Sequence, residues 1–191
     1  EGMKASLISR EVIADSVELV SFGERLDALV TVAGCDKNLP GMMMEALRTD
    51  LPSVFLYGGT ILPGEFHGED VTIQDVFEAV GAYSEGDMTR EELEELEHKA
   101  CPGAGSCAGM YTANTMASAI EAMGMALPYS SSTPAEDPAK REECRRAGAA
   151  IRRALDLALR PRRNVPAEAH LHAGPGRRTG PLHQCHRRVE R

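Results

Sequence analysis

Apolar residues in this chain alternate between short continuous runs and segments of helical period. Leu26 to Val32 and Leu51 to Tyr57 are nearly unbroken apolar runs of strand length, the second stopped by Gly58-Gly59. Runs of this kind suit parallel strands covered on both faces. Ser9 to Val20 sets Ile13, Val17 and Val20 on one stripe and predicts an amphipathic helix. Pro40 can open a second helix through Met42 to Leu47, with the three methionines there packing. Thr72-Ile73-Gln74-Asp75 and Thr89-Arg90-Glu91-Glu92 have the spacing of capping boxes. The second precedes an acidic helix over Glu91 to Lys99, read as a solvated face. Thr112 to Met125 carries one charge, Glu121, and sets Met116, Ile120 and Met123 at helical spacing, which predicts a buried helix. The alternation predicts an α/β domain, layered, with a mainly parallel sheet flanked by helices. In such folds ligands gather at the carboxyl ends of strands, where Cys35 falls.

Composition narrows the picture. The chain has 191 residues, 42% of them hydrophobic, with no Trp and 4% aromatics, so its core is built from aliphatic side chains and Met. A net charge of −8 argues against a nucleic-acid binder. No run reaches membrane-span length and no signal peptide is visible. The five cysteines are odd in number and unevenly spaced, which is unlike a secreted disulfide framework and fits reduced thiols in a cytoplasmic chain.

The chemistry concentrates in two segments. In Gly34-Cys35-Asp36-Lys37-Asn38, a soft thiol stands beside a hard carboxylate, a pairing that suits two metal centres of different preference. On residues alone, Cys35 is either a metal ligand or a buried structural thiol. The second segment is Ala100-Cys101-Pro102-Gly103-Ala104-Gly105-Ser106-Cys107, followed by Ala108 to Met116. Its end before a helix of small residues favours a thiolate at Cys107. The spacing of Cys101 and Cys107 is poor for a zinc finger. Gly58, Gly59, Gly103, Gly105 and Gly109 are expected to let backbone approach a metal centre or substrate closely, with ordinary turns as the alternative. His67 and His98 have no partner at ligand spacing, and Cys144 lies in a charged helical stretch.

These two motifs, with Ser9 to Ser16, Gly58-Gly59 and Ala126 to Ser132, resemble the N-terminal half of the dihydroxy-acid/6-phosphogluconate dehydratase family, the branched-chain member above all. The resemblance runs from Glu1 to about Arg162. It implies a hydro-lyase that dehydrates 2,3-dihydroxy acids to 2-keto acids, using an iron–sulfur cluster ([2Fe-2S] or [4Fe-4S]) and Mg²⁺. It assigns Cys35 and Cys107 to the cluster, leaves Cys101 to packing, and assigns Asp36 and Lys37 to Mg²⁺, the lysine as a carbamate; an unmodified Lys37 would instead pair with Asp36 or a phosphate-like anion. A third cysteine and further Mg²⁺ carboxylates are expected outside this chain, as is the base, a serine of the C-terminal half; none of the catalytic residues proper is expected within the chain. The resemblance also implies a small-molecule substrate, a homodimer, and neither a nucleic-acid nor a membrane partner. A sugar-acid dehydratase of the same superfamily is the alternative within the class.

Past Arg160-Pro161-Arg162 the composition changes to Arg, Pro, His, Gly and Ala, with eight arginines against Glu168 and Glu190 from residue 160 onward. The expected organisation is therefore a partial dehydratase domain over 1–162 and a non-family tail over 163–191. Back-translating Pro175 to Gln184 and reading one nucleotide later permits Leu-Asp-Val-Ala-Leu-Gly-x-Ser-Thr-Asn, similar to a segment that the family carries downstream. The tail is thus expected to be out of frame and disordered, and the chain an inactive fragment lacking the C-terminal domain. A non-catalytic protein that binds anions through the basic tail is the alternative from another class.

Overall fold

The computed structural model describes residues 2–35 and 37–164. The expectations for Asp36 and for most of the tail therefore lie outside the described residues. The element order is α1 (Gly2–Gly23), β1 (Leu29–Ala33), α2 (Asn38–Thr49), β2 (Ser53–Tyr57), β3 (Gly64–Phe66), β4 (Glu69–Val71), α3 (Ile73–Glu85), α4 (Arg90–Lys99), α5 (Thr112–Ala122), a 3₁₀ turn (Ser130–Ser132), α6 (Pro138–Asp156) and α7 (Pro161–Asn164).

Strands β1 and β2 pair in parallel, Leu29 opposite Ser53 through Ala33 opposite Tyr57. Ala126 adds a one-residue parallel bridge to Phe55 on the other side of β2. This makes β2 the central strand, and all five of its residues are buried. The two-residue side-chain period divides them. Phe55 and Tyr57 face α2 and α5, in a core with Ala33, Leu39, Ala113 and Ile120. Val54 and Leu56 face α6, with Leu127, Ala147 and Ala150. The expected α/β layering is therefore present as helix, sheet, helix.

β1 departs from the expected burial on both faces. Val30 and Val32 are 43% and 57% exposed, on the side of the sheet where α6 packs mainly over Val54 and Leu56 of β2. Likewise Val20 of α1 is 57% exposed; Ile13 and Val17 turn inward as expected, joined by Ala14 and Ser21. The buried helix over Thr112 to Met125 stops at Ala122, where Gly124 turns the chain at a φ of 76° and Met125 continues into the bridge beside β2. Both capping boxes form, at Thr72 with Asp75 and at Thr89 with Glu92.

The β3–β4 hairpin was not anticipated. Its two-residue turn is His67-Gly68, with φ of 53° and 84°. Two successive positive φ values match the turn type that fits strand twist. The hairpin and helices α3 and α4 enclose a smaller core of Val71, Val76, Ala79, Leu96 and Ala100. Among the described residues no helix is long and apolar enough to cross a membrane.

Candidate metal centre

Cys35 closes the loop after β1, and its backbone is held by the start of α2. Its N–H donates to Asn38 Oδ1 at 2.8 Å and its carbonyl accepts from Leu39 N–H at 3.0 Å. The thiol is exposed. Lys37 is the N-cap of α2, without a side-chain cap. Pro40 lies in the first turn, where its missing N–H costs no intrahelical bond.

Cys107 is presented by a different device. Beyond β2 the chain runs on through Gly59 to Ile61 with a parallel neighbour on each side: Thr60 bridges Ser106 and also Pro134. Ser106 N–H donates to Gly59 O at 2.9 Å, Ile61 N–H donates to Ser106 O at 3.2 Å, and Ala135 N–H donates to Thr60 O at 2.9 Å. The three segments meet so closely that only glycine fits at two points. A Cβ on Gly105 (φ 131°) would lie 2.4 Å from Ile61 N, and one on Gly59 (φ 104°) 2.5 Å from Ala135 N. Here the close approach expected of these glycines is to neighbouring backbone. Cys107 itself has a φ of 30°, left-handed backbone that non-glycine residues seldom adopt. It stands four residues ahead of Tyr111, the N-cap of α5. The helix N-terminus expected to adjoin this thiol is therefore offset from it in sequence, and Cys107 packs instead against the α2/α5 core.

The two loops meet through their adjoining residues. A Cβ on Gly34 would lie 2.6 Å from Ser106 Oγ, so the residues preceding Cys35 and Cys107 are in contact. Tyr57, the last residue of β2, is fully buried in the core against which Cys107 packs. Burial pushes the Tyr57 phenol above its ordinary pKa, and the charge that Cys107 and Cys35 would carry nearby adds to the rise. Behind Tyr57 stands a polar network. Its hydroxyl is 3.5 Å from Thr60 Oγ1, which accepts from Asn114 Nδ2 at 3.2 Å; the same amide donates to Ser131 O at 2.8 Å. Glu121 fixes the Ser131 turn, accepting from Ser131 N–H and Oγ and from Tyr129 N–H. A buried ion pair, Lys140 to Glu143 at 2.6 Å, also holds this region: Lys140 Nζ donates to Tyr57 O at 3.2 Å and to Ser130 O at 3.4 Å.

The other sequence candidates lie elsewhere. Cys101 is exposed, not packed, and Cys144 is exposed on α6. His67 stacks on Phe66 in the hairpin, at 3.9 Å between ring centroids. Tyr57, Thr60 and Asn114 were missed. The available signal was a polar aromatic closing an otherwise apolar strand, immediately before Gly58-Gly59. Among the described residues no group of three His, Cys, Asp or Glu side chains is gathered at ligand range. Two free thiols on loops that touch through Gly34 and Ser106 are a soft donor set that fits part of an iron–sulfur ligand shell, with further donors required to complete it.

A family model described as the dihydroxy-acid/6-phosphogluconate dehydratase N-terminal domain matches residues 1–173. The chain is 72% identical over 148 residues to the dihydroxy-acid dehydratase of Natronomonas pharaonis, covering 78% of this chain and 25% of that protein. It is 69% identical over 148 residues to the Haloarcula marismortui dihydroxy-acid dehydratase, covering 78% and 26%. Against a Synechococcus protein of the same name, it is 56% identical over 162 residues, covering 85% and 29%. The chain thus spans about a quarter of the length of these relatives. On the extent of the family match and the identity to these proteins, the chain belongs to the dihydroxy-acid/6-phosphogluconate dehydratase family, as part of its N-terminal domain.

Proposed function

We propose that this chain supplies part of the metal-binding half of a dihydroxy-acid dehydratase, which removes water from a 2,3-dihydroxy acid to give a 2-keto acid in valine and isoleucine synthesis. The observation that supports the reading is the close approach of Gly34 to Ser106, the residues that precede Cys35 and Cys107. The relatives named dihydroxy-acid dehydratase favour this substrate class over sugar acids.

In this reading Cys35 and Cys107 are thiolate ligands of an iron–sulfur cluster, and Asp36 with a carbamylated Lys37 holds Mg²⁺. When bound, the two centres supply Lewis acidity that makes the substrate hydroxyl a better leaving group. This chain's residues hold and orient. The backbone bonds of Cys35 to Asn38 and Leu39 fix one thiol, and the Gly59–Ile61 and Ser106 pairing fixes the other. The base, a serine, and the remaining ligands belong to parts of the enzyme outside these residues, so the chain alone does not turn over substrate. Residues 163–191 are read as an out-of-frame tail, and the full enzyme as a cytoplasmic homodimer.

The test is anaerobic reconstitution with iron and sulfide of a full-length dihydroxy-acid dehydratase carrying residues 1–162 of this chain in place of its own segment, followed by iron and sulfide analysis and electron paramagnetic resonance. The parent enzyme is expected to retain a cluster signal that Cys35→Ser and Cys107→Ser each lose. Equal iron retention by all three proteins would overturn the assignment.

A further inference from the structure

The Lys140–Glu143 pair sits where the two thiol loops leave the sheet. Both residues are buried, at 8% and 6% exposed, on α6. An ammonium has three protons to donate and no acceptor. Lys140 uses them all, on Glu143 Oε2 at 2.6 Å, Tyr57 O at 3.2 Å and Ser130 O at 3.4 Å. Glu143 accepts from Thr133 Oγ1 with its other carboxylate oxygen. The Tyr57 carbonyl needs such a donor. On that side of β2, Phe55 N–H donates to Met125 O at 2.8 Å and the bridge ends at Ala126, so two residues further along Lys140 stands where a strand would.

The peptide group between Tyr57 and Gly58 carries this hold into both loops. Its carbonyl accepts from Lys140, and its N–H donates to Ala33 O at 2.9 Å, just ahead of Gly34-Cys35. One residue further, Gly59 O accepts from Ser106 N–H at 2.9 Å, next to Cys107. The other carbonyl on Lys140, that of Ser130, adjoins Ser131, whose own carbonyl holds Asn114 against Thr60. Lys140 thus fixes the chain before the Gly59–Ile61 segment and the turn that steadies Thr60 within it. A charged donor on a carbonyl also polarises the peptide and strengthens the bond made by its N–H, here to Ala33. Resting on the cluster reading above for its consequence, we propose that Lys140 is a positioning residue: through the Tyr57–Gly58 peptide and the Ser130 turn it sets the register in which Cys35 and Cys107 are presented together.

The experiment separates positioning from stability, in a full-length dihydroxy-acid dehydratase carrying residues 1–162. Lys140→Met, the double variant Lys140→Met with Glu143→Leu, and Val76→Ala are compared with the parent. Val76 lies in the separate core of α3 and α4, so its truncation is the reference for lost stability alone. Three quantities are read: the urea unfolding midpoint, amide hydrogen exchange of the Gly58–Thr60 and Gly105–Cys107 segments in cluster-free protein, and iron release to a chelator after reconstitution. The double variant should unfold near the parent's midpoint, since no charge is stranded. Its exchange in both segments should nevertheless be faster, and its iron release faster by about tenfold, the low end for a lost partner outside the ligand shell. Slow exchange and parent-like iron release restored together with stability in the double variant would overturn the proposal. So would an equal acceleration of both in Val76→Ala. The double variant carries the test should Lys140→Met not fold. Failure of the cluster reading is seen separately, as iron retention in Cys107→Ser equal to that of the parent, and the exchange measurement then still decides whether Lys140 sets the two segments.

Discussion

Gly34 and Ser106 touch: a Cβ on Gly34 would lie 2.6 Å from Ser106 Oγ. They are far apart in sequence, one before Cys35 and the other before Cys107, so this contact sets how the two thiol loops sit together. Gly34→Ala should force Ser106 to move and loosen the Cys107 loop while leaving the cores intact. The expected outcome is a circular dichroism spectrum like that of the parent, with iron retained less well after reconstitution of the full-length enzyme carrying the change. Parent-like iron retention would show that the contact does not govern the site.

The buried Lys140–Glu143 pair ties α6 to Tyr57 O and Ser130 O, with Thr133 hydrogen-bonded to the second Glu143 oxygen. Removing one partner of a buried pair strands the other charge, at a cost of about 3–5 kcal/mol. Lys140→Ala should therefore lower stability by that order in urea unfolding. The double replacement Lys140→Met with Glu143→Leu should cost much less, since it leaves no orphaned charge.

Glu45 gives stability a pH dependence. Its side chain is fully buried between α1 and α2; Oε1 accepts from Thr49 Oγ1 at 3.1 Å, and Oε2 has no hydrogen-bond partner. Burial raises its pKa from 4.5, Thr49 opposes the rise, and Glu18 adds to it. A raised carboxyl binds its proton more tightly in the folded state, so its contribution is complete below pH 4.5 and is lost as pH climbs through the folded pKa. Glu45→Gln should flatten the fall in stability above pH 4.5, read as melting temperature against pH. An unchanged slope would contradict this.

Thr72 caps α3 by accepting from Gln74 N–H, while Asp75 accepts from Thr72 N–H at 2.6 Å. That bond, with the Thr72 hydroxyl, holds the Asp75 carboxyl below its ordinary pKa. Thr72→Ala should cost about 1 kcal/mol of stability. The Asp75 contribution is present above the ordinary aspartate range and fades as pH falls through its lowered pKa. The stability difference between parent and Asp75→Asn should accordingly shrink on acidification.

The layering was legible because local signals and tertiary demands agreed. Leu51 to Tyr57 is apolar on both faces and became the central strand, and both capping boxes formed as spaced. Reading failed where partners decide. Val30 and Val32 look like core residues, yet they stay exposed on the side where α6 packs mainly over β2. The His67-Gly68 hairpin is carried by backbone conformation that only its two flanking strands make visible. Cys35 and Cys107 stood out as chemistry. Tyr57, Thr60 and Asn114 did not, because each is an ordinary residue until the Gly59–Ile61 segment is seen between Ser106 and Pro134.

The central claim is that Cys35 and Cys107 hold one cluster together. It is tested most directly by iron and sulfide stoichiometry with electron paramagnetic resonance on an anaerobically reconstituted full-length dehydratase carrying residues 1–162, comparing the parent with Cys35→Ser, Cys107→Ser and Cys101→Ser. The account predicts that the first two variants each lose the cluster signal and that Cys101→Ser keeps it. Retention of the signal in Cys35→Ser or Cys107→Ser, or its loss in Cys101→Ser, would contradict it.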